Sequence, residues 1–372
     1  MILKTKKNRI RGFNMEEKRQ KIHWIIPILI LVVVGVAIFY EWDLGSRINP
    51  EVTADDVIEL SEIVNSQIDK GMDRGTFYIS GISESELTNI NDYVCSVNGM
   101  VDKYVIHTKV GKKQKITFYY EISDNFYVMD KYLNGTAIPE DRPLAFKLYD
   151  KTEEILGQII KPSMTDYEKE LAIHDYIVAN CKYGQKDESK EYAFRAYGCL
   201  VQGVAVCNGY AEAMSLLLTC AGVENTIMTG SAEGVLHAWN AVLLDGKWYQ
   251  VDATWDDPIP DMGEFVSHTF FNITDDEMDD THEWNPDIYN VCDGEKYNYF
   301  DYNKKVYTYE ELESVITFEA ARNITGRFEF AVTDYDESKY TYDFLKNIPG
   351  VLSVSHVVNP IGDRHIITIE LN

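Results

Sequence analysis

Residues 236–258 read LHAWNAVLLDGKWYQVDATWDDP. Two runs of β-forming residues, His237–Leu244 and Lys247–Thr254, flank Asp245-Gly246, a dipeptide suited to the left-handed positions of a tight hairpin turn. A two-residue turn fixes the register. Trp239 then opposes Asp252, and His237 opposes Thr254. Side chains two apart share a face, so His237, Trp239, Asp252 and Thr254 project from one side. His237 and Asp252 become diagonal neighbours, roughly 7–8 Å apart along the backbone and within hydrogen-bonding reach of each other. One extra residue in the turn breaks this parity.

Upstream, residues 196–213 read AYGCLVQGVAVCNGYAEA. A helix is predicted from Cys207, with Tyr210, Met214, Leu217, Leu218 and Ala221 on one face and Gly222 ending it. The strand Glu224–Thr229 follows. A helix start presents unpaired N–H groups and the positive end of the helix dipole, which favour a thiolate. A thiolate attacks carbonyl carbon when an imidazole is near, and that imidazole needs an orienting group. Taken singly, Cys207 reads as a small buried hydrophobe, His237 as a core or edge histidine, and Asp252 as a turn acid. Together they make a candidate nucleophile, base and orienter.

With these residues in view, the two stretches resemble the transglutaminase-like superfamily of cysteine enzymes, most of all its bacterial branch. The helix segment IHDYIVANCKYG and the later HTFFNITDDEM…H segment add to the resemblance, which covers roughly residues 150–300. It implies an α+β, papain-like fold with a Cys-bearing helix packed on an antiparallel sheet. It also implies Cys207 as nucleophile, His237 as base and acid, and Asp252 as orienter. The chemistry implied is acyl transfer from an amide through a thioester. The Cys207 N–H is one candidate oxyanion donor. Gln202 is a second by analogy with papain-like enzymes, or else a solvent-facing loop amide. Trp239 either shields the thiolate or simply packs.

No cofactor is expected, and no metal. Asp256, Asp257, Asp261 and Glu264 lack the spacing of an EF-hand. Cys199, Cys207, Cys220 and His237 include no C-x-x-C pair. His174, inside a helix opened by the capping-box pattern Thr165-Asp166-Tyr167-Glu168 and running through Ala179, reads as a hydrogen-bonded core histidine.

The net charge of the 372-residue chain is −25. Residues 1–21 hold eight Lys/Arg and two Glu, which leaves −31 on the rest. A body this acidic excludes nucleic acid as partner. Residues Trp24–Tyr40 contain no charge over 17 positions, near the length that crosses a bilayer core of about 30 Å. Phe39-Tyr40-Glu41-Trp42 offers no signal-peptide cleavage site, so a retained membrane anchor is expected. The basic residues precede the span and Glu41 and Asp43 follow it. The N-terminus is therefore placed in the cytoplasm and residues 43–372 outside the cell.

The expected organisation is a basic tail (1–21), an anchor (22–42), an α+β domain (43–139), a transglutaminase-like domain (140–318) and a C-terminal segment (319–372). The N-terminal domain reads as a helix over Ala54–Lys70, strand Phe77–Ser80, helix Ser85–Val97, and strands Tyr104–Val110 and Lys115–Ile122. The C-terminal segment repeats the β-α-β-β order as Arg327–Val332, Lys339–Lys346, Val351–Val358 and His365–Leu371. The expected partner is a peptide or protein substrate, with cell-envelope material favoured by the anchor. A catalytically idle binding or scaffold module and a small-molecule acyltransferase are the alternatives.

Overall fold

The hairpin read from residues 236–258 lies at the centre of a five-stranded antiparallel sheet in the computed structural model of the chain. The structure describes residues 60, 63, 74–79, 101–110, 113–184, 192–257, 265–287, 289–322, 326–339 and 342–372. The sheet runs in the order His282–Trp284, Asn225–Ala232, Val235–Leu244, Lys247–Val251, Phe271–Ile273. Leu244 pairs with Lys247 and Asn240 with Val251, the register of a two-residue turn. Asp245 (φ 50°) and Gly246 (φ 81°) both occupy the left-handed region that such a turn requires.

The second strand stops at Val251, three residues short of the expected Thr254. The Asp252 carboxylate is the cause. Its Oδ1 accepts from the backbone N–H of Thr254 (2.8 Å) and of Trp255 (3.1 Å), which turns the chain out of the strand. The expected pairing of His237 with Thr254 is therefore not made.

The helix Cys207–Cys220 packs against the sheet and is buried on nearly every side. Asn240 Nδ2 donates to the Ala211 carbonyl (3.0 Å), and Ala211, Ile227 and Ala238 make the small-residue contact between the two layers. Gly209 permits the fit. A Cβ there would lie 2.4 Å from the Ala193 carbonyl oxygen and 2.7 Å from the Ala205 Cβ. The helices Asp124–Asn134 and Asp166–Asn180 pack on the same helix, and Pro143–Ile159 packs on Asp124–Asn134. Asp166–Asn180 begins with the full reciprocal capping box between Thr165 and Glu168.

The C-terminal strands form a four-stranded sheet in the order Val306–Tyr307, Gly326–Val332, Arg364–Leu371, Val354–Ile361. Leu312, Ile316 and Ala320 of the helix Tyr309–Arg322 share a core with Phe330, Val332, Ile367 and Ile369. A boundary at 318 therefore passes through a helix that belongs to the C-terminal module. Where Lys339–Lys346 was expected as a helix, only a short 3-10 turn forms, Asp343–Asn347. Ala331, Ile361 and Ile366 join Met228, Trp239, Phe270 and Ile273 in one cluster, so this module shares a core with the central sheet.

Nearer the N-terminus, Arg74–Ile79, Val101–Val110 and Lys113–Ile122 make a three-stranded sheet with the first strand beside the third. The C-terminal module places Gly326–Val332, Val354–Ile361 and Arg364–Leu371 in the same relation. The expected helix Ser85–Val97 and the span 22–42 lie outside the described residues, as does Ala54–Lys70 apart from the helical Leu60 and Ile63. Among the described residues no helix is long and apolar enough to cross a membrane.

Candidate active site

Cys207 is the first residue of its helix, and Val206 before it supplies no side-chain cap. The N–H groups of that end are thus not claimed by a capping side chain. Of the five described cysteines, all free thiols, Cys207 alone is not buried. Burial pushes the Cys220 thiol up to about 12 and holds the Cys199 thiol well above its ordinary range.

The Cys207 thiol lies near enough to the His237 ring to help raise it. His237 Nε2 meets Asp252 Oδ2 at 2.6 Å. Nε2 is therefore the nitrogen that Asp252 fixes, and Nδ1 is left for the sulfur. Burial pulls the His237 imidazole down. The Asp252 charge and hydrogen bond, together with Cys207, outweigh it and raise the group from 6.5 to about 10. Burial likewise opposes the Asp252 charge, yet the two imidazoles it touches hold the carboxyl below the usual carboxylate range.

The second of those imidazoles is His282. Its Nε2 lies 3.1 Å from Asp252 Oδ2, and the Thr281 hydroxyl sits 2.8 Å from its Nδ1. A carboxylate only accepts, so Nε2 carries the N–H that donates to Asp252. Asp252, fully buried, thus accepts two ring donors on Oδ2 and two backbone donors on Oδ1. Its position is over-determined, as an orienting group requires. His282 enters from the edge strand His282–Trp284, 30 residues beyond Asp252 in sequence. The HTFFNITDDEM…H segment of the resemblance includes this histidine without assigning it a role.

Trp239 is buried, donates from Nε1 to Gln250 Oε1 (2.6 Å), and stacks beside the His237 ring with centroids 5.9 Å apart. It is a packed wall behind the imidazole. Gln202 ends a π-helical turn, Gly198–Gln202, where it is exposed and lines a depression with Asn180, Cys181, Leu200 and Gly203. Among the described residues no hydrogen bond joins it to Cys207 or His237. Tyr183, which sequence reasoning missed, is partly exposed beside the site. Burial raises its hydroxyl, and the Cys207 and Asp252 charges raise it further.

Two members of the acidic run turn inward rather than forming a cation cluster. Asp256 Oδ1 accepts from the Phe270 N–H and its Oδ2 meets His174 Nε2, while Asp257 accepts from the Tyr210 hydroxyl. Asp261 and Glu264 lie outside the described residues. Cys207 and Cys220 sit at opposite ends of one helix, so the four-residue zinc set is not assembled.

Residues 153–253, which include Cys207, His237 and Asp252, match the family profile of the transglutaminase-like superfamily. Human kyphoscoliosis peptidase is 27% identical over 156 residues, covering 36% of this chain and 24% of the human protein. The mouse protein of the same name is 25% identical over 191 residues, covering 40% of this chain and 29% of its own length. The chain thus spans between 24% and 29% of these relatives' own length. A crystal structure of a TGase aligns at 14% identity and a TM-score of 0.25, over 58% of this chain and 62% of that one. Residues 153–253 of this chain form a domain of the transglutaminase-like superfamily.

Proposed function

We propose that this chain is a cysteine enzyme that attacks amide bonds of peptide or protein substrates through a thioester on Cys207. The observation that carries the reading is the 2.6 Å contact of His237 Nε2 with the buried Asp252, on a ring that the helix-start Cys207 is near enough to raise. The Cys207 sulfur adds to the amide carbonyl carbon while the His237 ring holds the thiol proton at Nδ1. The C–N bond then breaks, that proton goes to the departing amine, and a thioester remains. Water, or a second amine, loses a proton to the same ring as it attacks the thioester, and the sulfur leaves. Asp252 keeps Nε2 protonated and balances the imidazolium charge. The Cys207 N–H at the uncapped helix end is the proposed donor to the developing oxyanion.

The chain is further proposed to be a single-pass membrane protein. The basic tail lies inside the cell and the enzyme faces outward, where envelope peptides and proteins are the substrates at hand. Mass spectrometry of the envelope fraction from cells carrying the wild type or Cys207→Ala tests the activity. Peptide fragments lost in the variant indicate hydrolysis, and isopeptide cross-links lost in the variant indicate transfer to an amine. Identical envelope peptides in both strains contradict the proposal.

A further inference from the structure

A second group of imidazoles and carboxylates lies apart from Cys207. His174, which the sequence presents as a core histidine, is fully buried on the helix Asp166–Asn180. Its Nδ1 lies 3.1 Å from Asp175 Oδ1, and His268 Nε2 lies 3.0 Å from the same oxygen. The three donor atoms all fall within 4.8 Å of one another. Tetrahedral zinc with bonds of about 2.0–2.1 Å places its donors about 3.3–3.5 Å apart, so small side-chain adjustments suffice to seat an ion among them.

Each imidazole also meets a carboxylate at its outward nitrogen. His174 Nε2 meets the Asp256 carboxylate (3.2 Å), and His268 Nδ1 meets the Glu329 carboxylate (2.7 Å). A carboxylate on the far nitrogen is the arrangement found around histidine-bound zinc: with an ion bound, the far N–H donates outward and the near nitrogen, which here donates to Asp175, would give its lone pair to the metal. Stacking on Tyr299, with centroids 3.6 Å apart and planes 4° from parallel, holds the His268 ring. Asp175, with 43% of its side chain exposed, is the side from which an ion and a water ligand enter.

We propose that His174 Nδ1, Asp175 and His268 Nε2 form a binding site for a divalent ion of the zinc class. Two imidazoles and one carboxylate favour that class over calcium or magnesium. Because Glu329 belongs to the C-terminal strand Gly326–Val332, the bound ion also links the core to that module.

The test uses the full-length chain in detergent, stripped with a chelator, then titrated with Zn2+ against a chromophoric competitor and separately with Co2+. The expected result is one tightly bound Zn2+ in wild type and in Cys207→Ala, lost in His268→Ala and Asp175→Asn. Glu329→Gln is expected to bind about 10–100-fold more weakly. Far-ultraviolet circular dichroism confirms that each variant is folded, and Asp175→Asn, at a partly exposed position, retains shape. The Co2+ form of the wild type is expected to show d–d absorption without a thiolate-to-metal charge-transfer band. No stoichiometric Zn2+ uptake by wild type overturns the proposal. So does a thiolate band, loss of binding in Cys207→Ala, or wild-type affinity in folded Asp175→Asn.

Discussion

Asp252 is one residue on which three features of the chain depend. It ends the strand Lys247–Val251, it orients His237, and it anchors His282. Its link to His237 sets a pH window. His237 is raised from 6.5 to about 10, so its share of the stability is complete below 6.5 and is lost as pH climbs through 10. Asp252 is lowered from 3.8, so its share is present above 3.8 and is lost as pH falls through its depressed value. Asp252→Asn removes the charge that sustains the imidazolium. The ring's titration, followed by NMR, is expected to drop from about 10 toward 6.5, and turnover is expected to fall by about 10²–10⁴-fold. A ring that still titrates near 10 in the variant would show that Asp252 does not hold it. The meeting of His237 and Asp252 was legible because a two-residue turn dictates parity. His282 was not, since no local pattern carries a contact made through a separate edge strand. The partners of Asp256 and Asp257 were hidden for the same reason: His174 and Tyr210 lie 82 and 47 residues away.

Among the elements, the Cys207 helix is placed by close approach. Gly209 lies where any Cβ would strike the Ala193 carbonyl, and backbone does not yield as a side-chain tip does. Gly209→Ala is expected to destabilise the fold by about 1–3 kcal/mol. It is also expected to slow acylation of Cys207 more than substrate binding, because the helix start shifts away from His237. Denaturant unfolding together with the kcat and KM of the variant checks both; unchanged stability would contradict the packing account. The helix itself was legible from its apolar face and from Gly222, and the capping box predicted the start of Asp166–Asn180. The strand end at Val251 was misread because a side chain, not a breaker residue, terminates it. Lys339–Lys346 is rich in Tyr, Thr and Asp, weak helix formers, and its described residues include the short 3-10 turn Asp343–Asn347.

At the scale of the whole molecule, the C-terminal module is part of the same packed body as the central sheet. Ala331, Ile361 and Ile366 bury the cluster that also holds Trp239, and Arg364 bridges Asp301 and Glu277. Removing residues 326–372 exposes that cluster. The shortened chain is expected to lose its cooperative thermal transition, and a transition matching full length would show that the two parts fold separately. The paired strands of both segments were visible in sequence, but their shared strand order was not, because alternation reveals strands and not their neighbours. The proposed outward orientation makes residues 43–372 accessible to protease on intact cells; a fully protected body would reverse it.

The most direct measurement of the central claim is acid-quenched mass spectrometry of the full-length protein mixed with an activated peptide acyl donor. The account predicts a single acyl adduct, labile to hydroxylamine as a thioester is, mapping to Cys207. It is predicted to be absent in Cys207→Ala and to form about 10²–10⁴-fold more slowly in His237→Ala. An adduct on another residue, or one that forms equally fast without His237, would contradict it.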